Sequence, residues 1–234
     1  MIRLRPAASR GHFRNSWLDA RFSFNFGSYR EPGFSGYSDL LVLNEDLVAP
    51  GGGFAEHPHA DVEVLSFPLE GVVEHRDSLG HHTLLQPGDV HLMRAGTGIR
   101  HSEMNASATL PERHLQWWIR PARRGLAPAY ARLHVPREAR LNRWRLLAAP
   151  DGAQGALPLA QDARVFATWL LDHRLEYRPP PGRRSYLHVA RGAVTLAGHL
   201  LQGGDAAFIE NEPAVVLQAG PAGAELLLFD LRAA

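Results

Sequence analysis

The run "LLQPGDV" at residues 84–90 returns with two changes as "LLQGGDA" at 200–206. Upstream of each copy a second pair of segments aligns, "LEGVVEH" (69–75) with "ARGAVTL" (190–196). Pro-Gly-Asp or Gly-Gly-Asp at the end of an apolar run is turn chemistry, because Gly supplies backbone angles that other residues avoid. The chain therefore repeats a unit built around a tight turn. Short alternating runs bounded by Gly, Pro, Asn and Asp fill the rest, among them "DLLVLNEDLV" (39–48), "VEVLSFPLEG" (62–71), "ARVFATWLL" (163–171) and "ELLLFDL" (225–231). Regular short strands with turn signals predict a sandwich or barrel, and two such units in tandem predict a double jelly roll. The best helical candidate, "APAYARLHV" (127–135), lies in a Pro-, Ala- and Arg-rich connection at 120–144. The expected division is 1–125, a linker over 126–145, and 146–234.

Composition narrows the chemistry. The chain of 234 residues has no Cys, and all 25 of its basic residues are Arg. Thiolate nucleophiles, thiolate metal sites, disulfides and Lys Schiff bases are thus excluded. A net charge of +1 without a long basic block gives little footprint for direct binding to nucleic acid. No apolar run approaches the roughly 18 residues that span a membrane. The first residues carry charge without an apolar stretch behind them, so they do not read as a signal peptide and the expected location is cytoplasmic. What remains for chemistry is dominated by 13 His, nine of them before residue 118.

Four of these candidates fall into two pairs. "FAEHPHADVEV" (54–64) places His57 and His59 two apart, and "GIRHSEMN" (98–105) does the same with His101 and Glu103. Side chains two apart on a strand share a face. Pro58, between the first two, suits an edge or a bulge. If both strands line one barrel, three imidazoles and a carboxylate meet. That donor set binds a divalent transition metal and leaves coordination positions open for substrate, water or oxygen. The repeat supplies a control. Its alignment carries His57 and His59 onto Arg178 and Pro180, and His101 and Glu103 onto Leu217 and Ala219. The fold does not need these ligands, so the second unit is expected to be metal-free. Glu63 shares the parity of His57 and His59. It reads either as a proton acceptor or ligand-orienting residue beside the metal, or as a polar residue at the barrel mouth. His75, His81 and His82, in or near the turn "EHRDSLGHH", are expected to be exposed. Of Trp117 and Trp118, one is expected in the core and the other on a cavity for a planar aromatic.

The segments "RGHFRNSWLDARFSF", "LLVLNEDLVAPGGGFAEHPHADVEVLSFPLEGVVEHRDSLG", "QPGDVHLMRAGTGIRHSEMN" and "LQWWIRP" resemble the pirin family of the bicupin superfamily. They cover most of the first 121 residues, and "LLQGGDAAFIENE" with "AELLLFDL" extends the likeness to the C-terminal end. The resemblance implies an all-β chain of two tandem cupin barrels, with one metal in the first. It maps the ligands onto His57, His59, His101 and Glu103, which leaves Glu63 beside the centre as the candidate catalytic residue. It implies iron(II) as the usual metal, with copper, nickel, cobalt, zinc and manganese as alternatives. It implies quercetin 2,3-dioxygenase activity, with a flavonol and O2 as substrates. Eukaryotic members act as nuclear transcription cofactors, so a metal- or redox-sensing protein that binds a protein partner is the competing expectation. One departure stands out. Where pirins commonly read W-L-D-x-x-H-T-F-S-F, this chain has "WLDARFSFNF", with Phe22 at the His position and Ser23 at the Thr position.

Overall fold

The computed structural model describes residues 1–233 and is built almost wholly of strands, with three short 3-10 turns. The first unit is a sandwich of two antiparallel sheets. Its seven-stranded sheet runs in the order 129–134, 89–94, 63–70, 112–119, 40–48, 18–22, 11–14, and its four-stranded sheet in the order 53–59, 99–105, 73–77, 82–85. The second unit is built on a ten-stranded sheet whose long strand, Arg183–Leu196, pairs with strands on both of its walls.

The repeat is structural. Both turns place Gly at positive φ, Gly88 at 98° and Gly204 at 90°. In both, the Asp that follows accepts a bond from the Gln three residues before it: Gln86 N to Asp89 at 3.0 Å, and Gln202 N to Asp205 at 2.8 Å. The sequence puts the same Asp-closed turn twice, and each turn joins the same two strands of its barrel.

Two parts of the chain lie elsewhere than expected. The helical candidate at 127–135 is a strand, Ala129–His134, which pairs with Asp89–Arg94 and extends the first unit's large sheet. The open edge of Asp89–Arg94 offers backbone partners that a short isolated helix would lack. At the other end Ile2–Arg5 crosses over and pairs with Ala206–Glu210 of the second unit. Spatial units and sequence segments therefore interlock.

Period-2 alternation decides which sheet faces which. On Glu112–Ile119, Leu115, Trp117 and Ile119 point away from the first barrel's interior and are fully buried against Phe229, Leu227 and Val165 of the second unit. The ring centroids of Trp117 and Phe229 are 5.6 Å apart. Glu112, His114, Gln116 and Trp118 point the other way, into the first barrel. The large sheet is thus covered on both faces, one by the partner unit and one by the site described next. Among the described residues no helix is long and apolar enough to cross a membrane.

Candidate metal centre

Gly53–His59 is the edge strand of the small sheet, and Pro58 sits on it where a missing N–H costs least. His57 lies directly opposite His101 and His59 opposite Ile99. The register then slips by one residue, so that Glu103 faces Phe54. The bulge bends the edge strand locally. The ring nitrogens of His57, His59 and His101 fall within 4.8 Å of one another. Nε2 of His57 and Nε2 of His101 are 3.1 Å apart. Nδ1 of His57 donates to the carbonyl of Ala55 at 2.8 Å, which leaves the lone pair on Nε2, turned inward.

Glu103 is almost wholly buried, and each of its oxygens accepts one bond. Ser66 Oγ donates to Oε1 at 2.9 Å and Gln116 Nε2 to Oε2 at 2.6 Å. These donors belong to the facing sheet, where His91, Ser66, Gln116, Asn44 and Phe22 stand side by side across five strands. His75, expected in an exposed turn, is fully buried opposite Glu103 and forms with His101 and Glu103 a second close triplet. Its ring stacks on Tyr130, which buries the imidazole; His81 stacks on the same Tyr130 but remains partly exposed, as does His82.

Burial strips water from the imidazoles and holds His59 and His101 down at about 4, His57 adding to this in each case against the pull of Glu103. Both are therefore neutral near pH 7, the form a metal needs. Burial alone would raise the proton affinity of Glu103, but the surrounding His101, His114, His91 and His75 outweigh it, so the carboxyl is held well below its usual range. Nε2 of His59 and Nδ1 of His101 are buried without a hydrogen-bond partner. Neutral, inward-turned imidazoles beside an ionised carboxylate, with nitrogens otherwise orphaned, fit a divalent transition metal ion.

Glu63 is the correction. It does not line the site. Asp61 takes a positive φ of 52°, the chain turns there, and Glu63 starts a strand of the other sheet on the opposite face. Its carboxylate accepts Arg94 Nε at 3.0 Å and the backbone N of Ala160, in the second unit, at 2.9 Å. Parity along "HPHADVE" fails because the run is not one strand.

A cavity of about 350 Å³ opens onto the cluster. Its floor carries His57, His59, Glu103, Gln116, Asn44 and Asp46. Its walls are Phe13, Leu18, Phe22, Phe26, Phe54 and Trp118. The indole of Trp118 meets His59 edge-on, with centroids 5.0 Å apart. Asn44, Asp46, Ser66 and Gln116 escape a motif search. The one local signal is a pair of polar residues two apart, Asn44 and Asp46, inside an otherwise apolar strand.

The model of the Pirin family matches residues 3–119, and that of the Quercetinase C-terminal cupin domain matches residues 146–231. The chain belongs to the pirin family. It is 39% identical over 232 residues to the quercetin 2,3-dioxygenase of Escherichia coli K12, which covers 99% of both chains. It is 37% identical to a pirin-like protein of Caulobacter vibrioides over 98% of this chain and 99% of that one. The crystal structure of the bacterial pirin YhhW from E. coli in complex with nickel(II) superposes with a TM-score of 0.94 at 38% identity, and covers 100% of both chains. Two tandem cupin domains are thus the architecture of this pirin. In its second barrel Leu217 faces Leu175, and Val215 faces Tyr177, as His101 faces His57 and Ile99 faces His59 in the first. The structural counterparts of His57 and His59 are therefore Leu175 and Tyr177, three residues from the positions that sequence alignment gives. Together with Leu217 and Ala219 they belong to an apolar cluster. Phe22, at the family's His position, lines the cavity wall and packs on Phe26 at 5.3 Å.

Proposed function

We propose that this pirin is a metal-dependent dioxygenase that cleaves a flavonol such as quercetin with O2. The observation that carries the reading is the cavity: a floor of metal donors and hydrogen-bonding groups beneath walls of aromatic rings. A planar, hydroxylated aromatic matches both, with its hydroxyls toward the floor and its rings between Phe22, Phe26, Phe54 and Trp118. The quercetin 2,3-dioxygenase name borne by the E. coli relative supports the same substrate class.

His57, His59, His101 and Glu103 are the residues we assign to the metal, one ion per chain. Iron(II) is the metal we assign, with copper, nickel, cobalt, zinc or manganese as substitutes, because a mixed N/O donor set does not select among them by affinity alone. When bound, such an ion supplies Lewis acidity toward a substrate hydroxyl and a meeting point for substrate and oxygen. The protein supplies the rest. Ser66 and Gln116 fix the Glu103 carboxylate, Ala55 fixes the His57 tautomer, and the aromatic walls exclude water and hold the ring plane.

The iron-loaded protein is expected to consume oxygen on addition of quercetin, and a chelator is expected to stop it. Oxygen uptake at background with iron, copper, nickel, cobalt and manganese alike would favour the alternative of a metal- or redox-sensing protein that binds a protein partner.

A further inference from the structure

Two side chains on the cavity floor have no part in holding the metal. Asn44 and Asp46 stand two apart on Leu40–Val48, on one face, and both line the cavity. Oδ1 of Asn44 is buried and accepts no hydrogen bond. The nearest cationic group to the Asp46 carboxylate is Nε2 of His114, at 3.6 Å, longer than a hydrogen bond. Two unfilled acceptors therefore face the space that holds the substrate, and an unfilled buried acceptor asks for a donor.

Behind Asp46 the register builds a file of charges. His114 lies directly opposite Asp46 on the neighbouring strand, and Glu112 is two residues before His114 on the same face. All three are nearly or wholly buried. Nδ1 of His114 lies 3.0 and 3.1 Å from the two Glu112 oxygens. An ionised carboxylate only accepts, so Nδ1 carries a proton and Nε2 is turned toward Asp46. Glu112 thus fixes the ring that backs Asp46, and it cannot swing away.

Resting on the flavonol reading above, we propose that Asp46 is a catalytic residue that takes the proton of a substrate hydroxyl, with His114 and Glu112 as positioning residues behind it. The substrate O–H bond breaks, a bond forms from that hydrogen to an Asp46 oxygen, and the electron pair stays on the substrate oxygen as a phenolate. Asp46 becomes neutral, no electron changes hands, and the net charge of the site is unchanged.

The other carboxylates are disqualified by geometry. Glu103 is assigned to the metal, and each of its oxygens also accepts a bond, from Ser66 or Gln116. Glu63 is on the far face of the sheet, bonded to Arg94 and Ala160. The titratable groups near Asp46 come from three sides. His114 and Glu112 face it from Glu112–Ile119, and Glu103 acts on it from the small sheet, whose His57 and His59 line the same cavity. Glu45, next on its own strand, is turned to Arg10 and Arg113 on the other face. The remaining neighbour, Leu18–Phe22, sets Ala20 opposite it. Burial drives the carboxyl up, His114 holds it down, and Glu112, Glu103 and Glu45 add to the rise, which reaches about 7. A base near the working pH is the efficient one.

The test is anaerobic binding of quercetin to the full-length, zinc-loaded chain, followed by absorption. Bound to the unaltered protein, quercetin is expected to show the red-shifted band of an ionised hydroxyl at pH 7. In Asp46→Asn the metal content is expected to be unchanged and quercetin bound within about threefold of the original Kd, with the band of the neutral form. Turnover of the iron form should fall by roughly 10²-fold or more, the usual worth of a general base. His114→Gln, which keeps a donor toward Asp46, should retain more of the ionised band than His114→Leu. An ionised band that persists unchanged in both Asp46→Asn and Asp46→Ser overturns the assignment while leaving the flavonol reading standing. Loss of metal or of folded structure in both variants overturns it as well, since Asp46 is then a structural residue. If the unaltered chain does not bind quercetin, the flavonol reading fails and this assignment falls with it.

Discussion

Single residues carry two kinds of burial here, and they respond to pH in different ways. His59 and His101 are two of the residues we assign to the metal, and Nε2 of His59 and Nδ1 of His101 are buried without a hydrogen-bond partner. On that assignment, replacing either by Ala removes one of four proposed donors. Metal affinity is expected to fall by more than the roughly 10–100-fold that loss of an outer hydrogen bond costs, measured as metal per chain after purification and dialysis. His188, in the second barrel, is fully buried with neither ring nitrogen bonded, and no metal centre explains it. Burial, helped by Arg10 and Arg113 against Glu45, holds its proton affinity down at about 3. Above about pH 6.5, the ordinary His value, both folded and unfolded chains are neutral at this position. Between 6.5 and 3 only the unfolded chain takes up the proton, so stability falls as pH falls through that window, by up to about 1.4 kcal/mol per pH unit. His188→Leu is expected to remove about 2 kcal/mol of the stability difference between pH 8 and pH 5 in urea denaturation. An unchanged difference would show that the acid sensitivity lies in the first barrel's histidines.

At the scale of elements, the edge strand Gly53–His59 is the part of the first barrel on which the centre most depends. Its bulge sits between the residues opposite His101 and those opposite Glu103. Gly53 makes this close approach possible. Its φ is +152°, and a Cβ there would lie 2.5 Å from the Glu103 carbonyl oxygen and 2.6 Å from Cα of Met104. Gly53→Ala must push the edge strand away from its neighbour. We expect a loss of metal affinity of roughly 10–100-fold, as for a misplaced ligand shell, with the circular dichroism of the sheets retained. Chelator competition measures it. The elements also show what a sequence can and cannot tell. His57 with His59, and His101 with Glu103, were legible because each pair lies within one unbroken strand, where period 2 holds. Glu63 was misread because positive φ at Asp61 breaks that period. Asp46, Gln116 and Ser66 were invisible as site residues because they belong to a different sheet. Only the inter-strand register, which no local motif encodes, brings them under Glu103. The stretch 127–135, the best helical candidate in the sequence, is a strand because the open edge of Asp89–Arg94 takes its backbone groups.

At the scale of the whole molecule, the metal-bearing barrel and the apolar one are not separable modules. The large sheet of the first rests its Leu43, Leu65, Phe67 and Trp117 face on the second, and the first strand of the chain is a member of the second unit's sheet. Arg140, in the 3-10 turn of the connection, is buried with its guanidinium 2.5 Å from Glu225. Glu63 belongs to this seam. It accepts Arg94 from the neighbouring strand of its own sheet and the Ala160 backbone from across the junction. Glu63→Ala removes the acceptor of two part-buried donors, at a cost of up to about 1–3 kcal/mol for each group left unsatisfied. Glu63→Gln keeps an acceptor for Ala160 and should cost less. Neither change touches the His57–His59–His101–Glu103 cluster, which lies on the other face of the sheet. Urea denaturation is therefore expected to shift to lower midpoints in the order Gln before Ala, with metal content and quercetin turnover per folded chain held at the level of the unaltered protein. A variant that keeps its midpoint but loses metal would return Glu63 to the centre and contradict the register that places it at the seam.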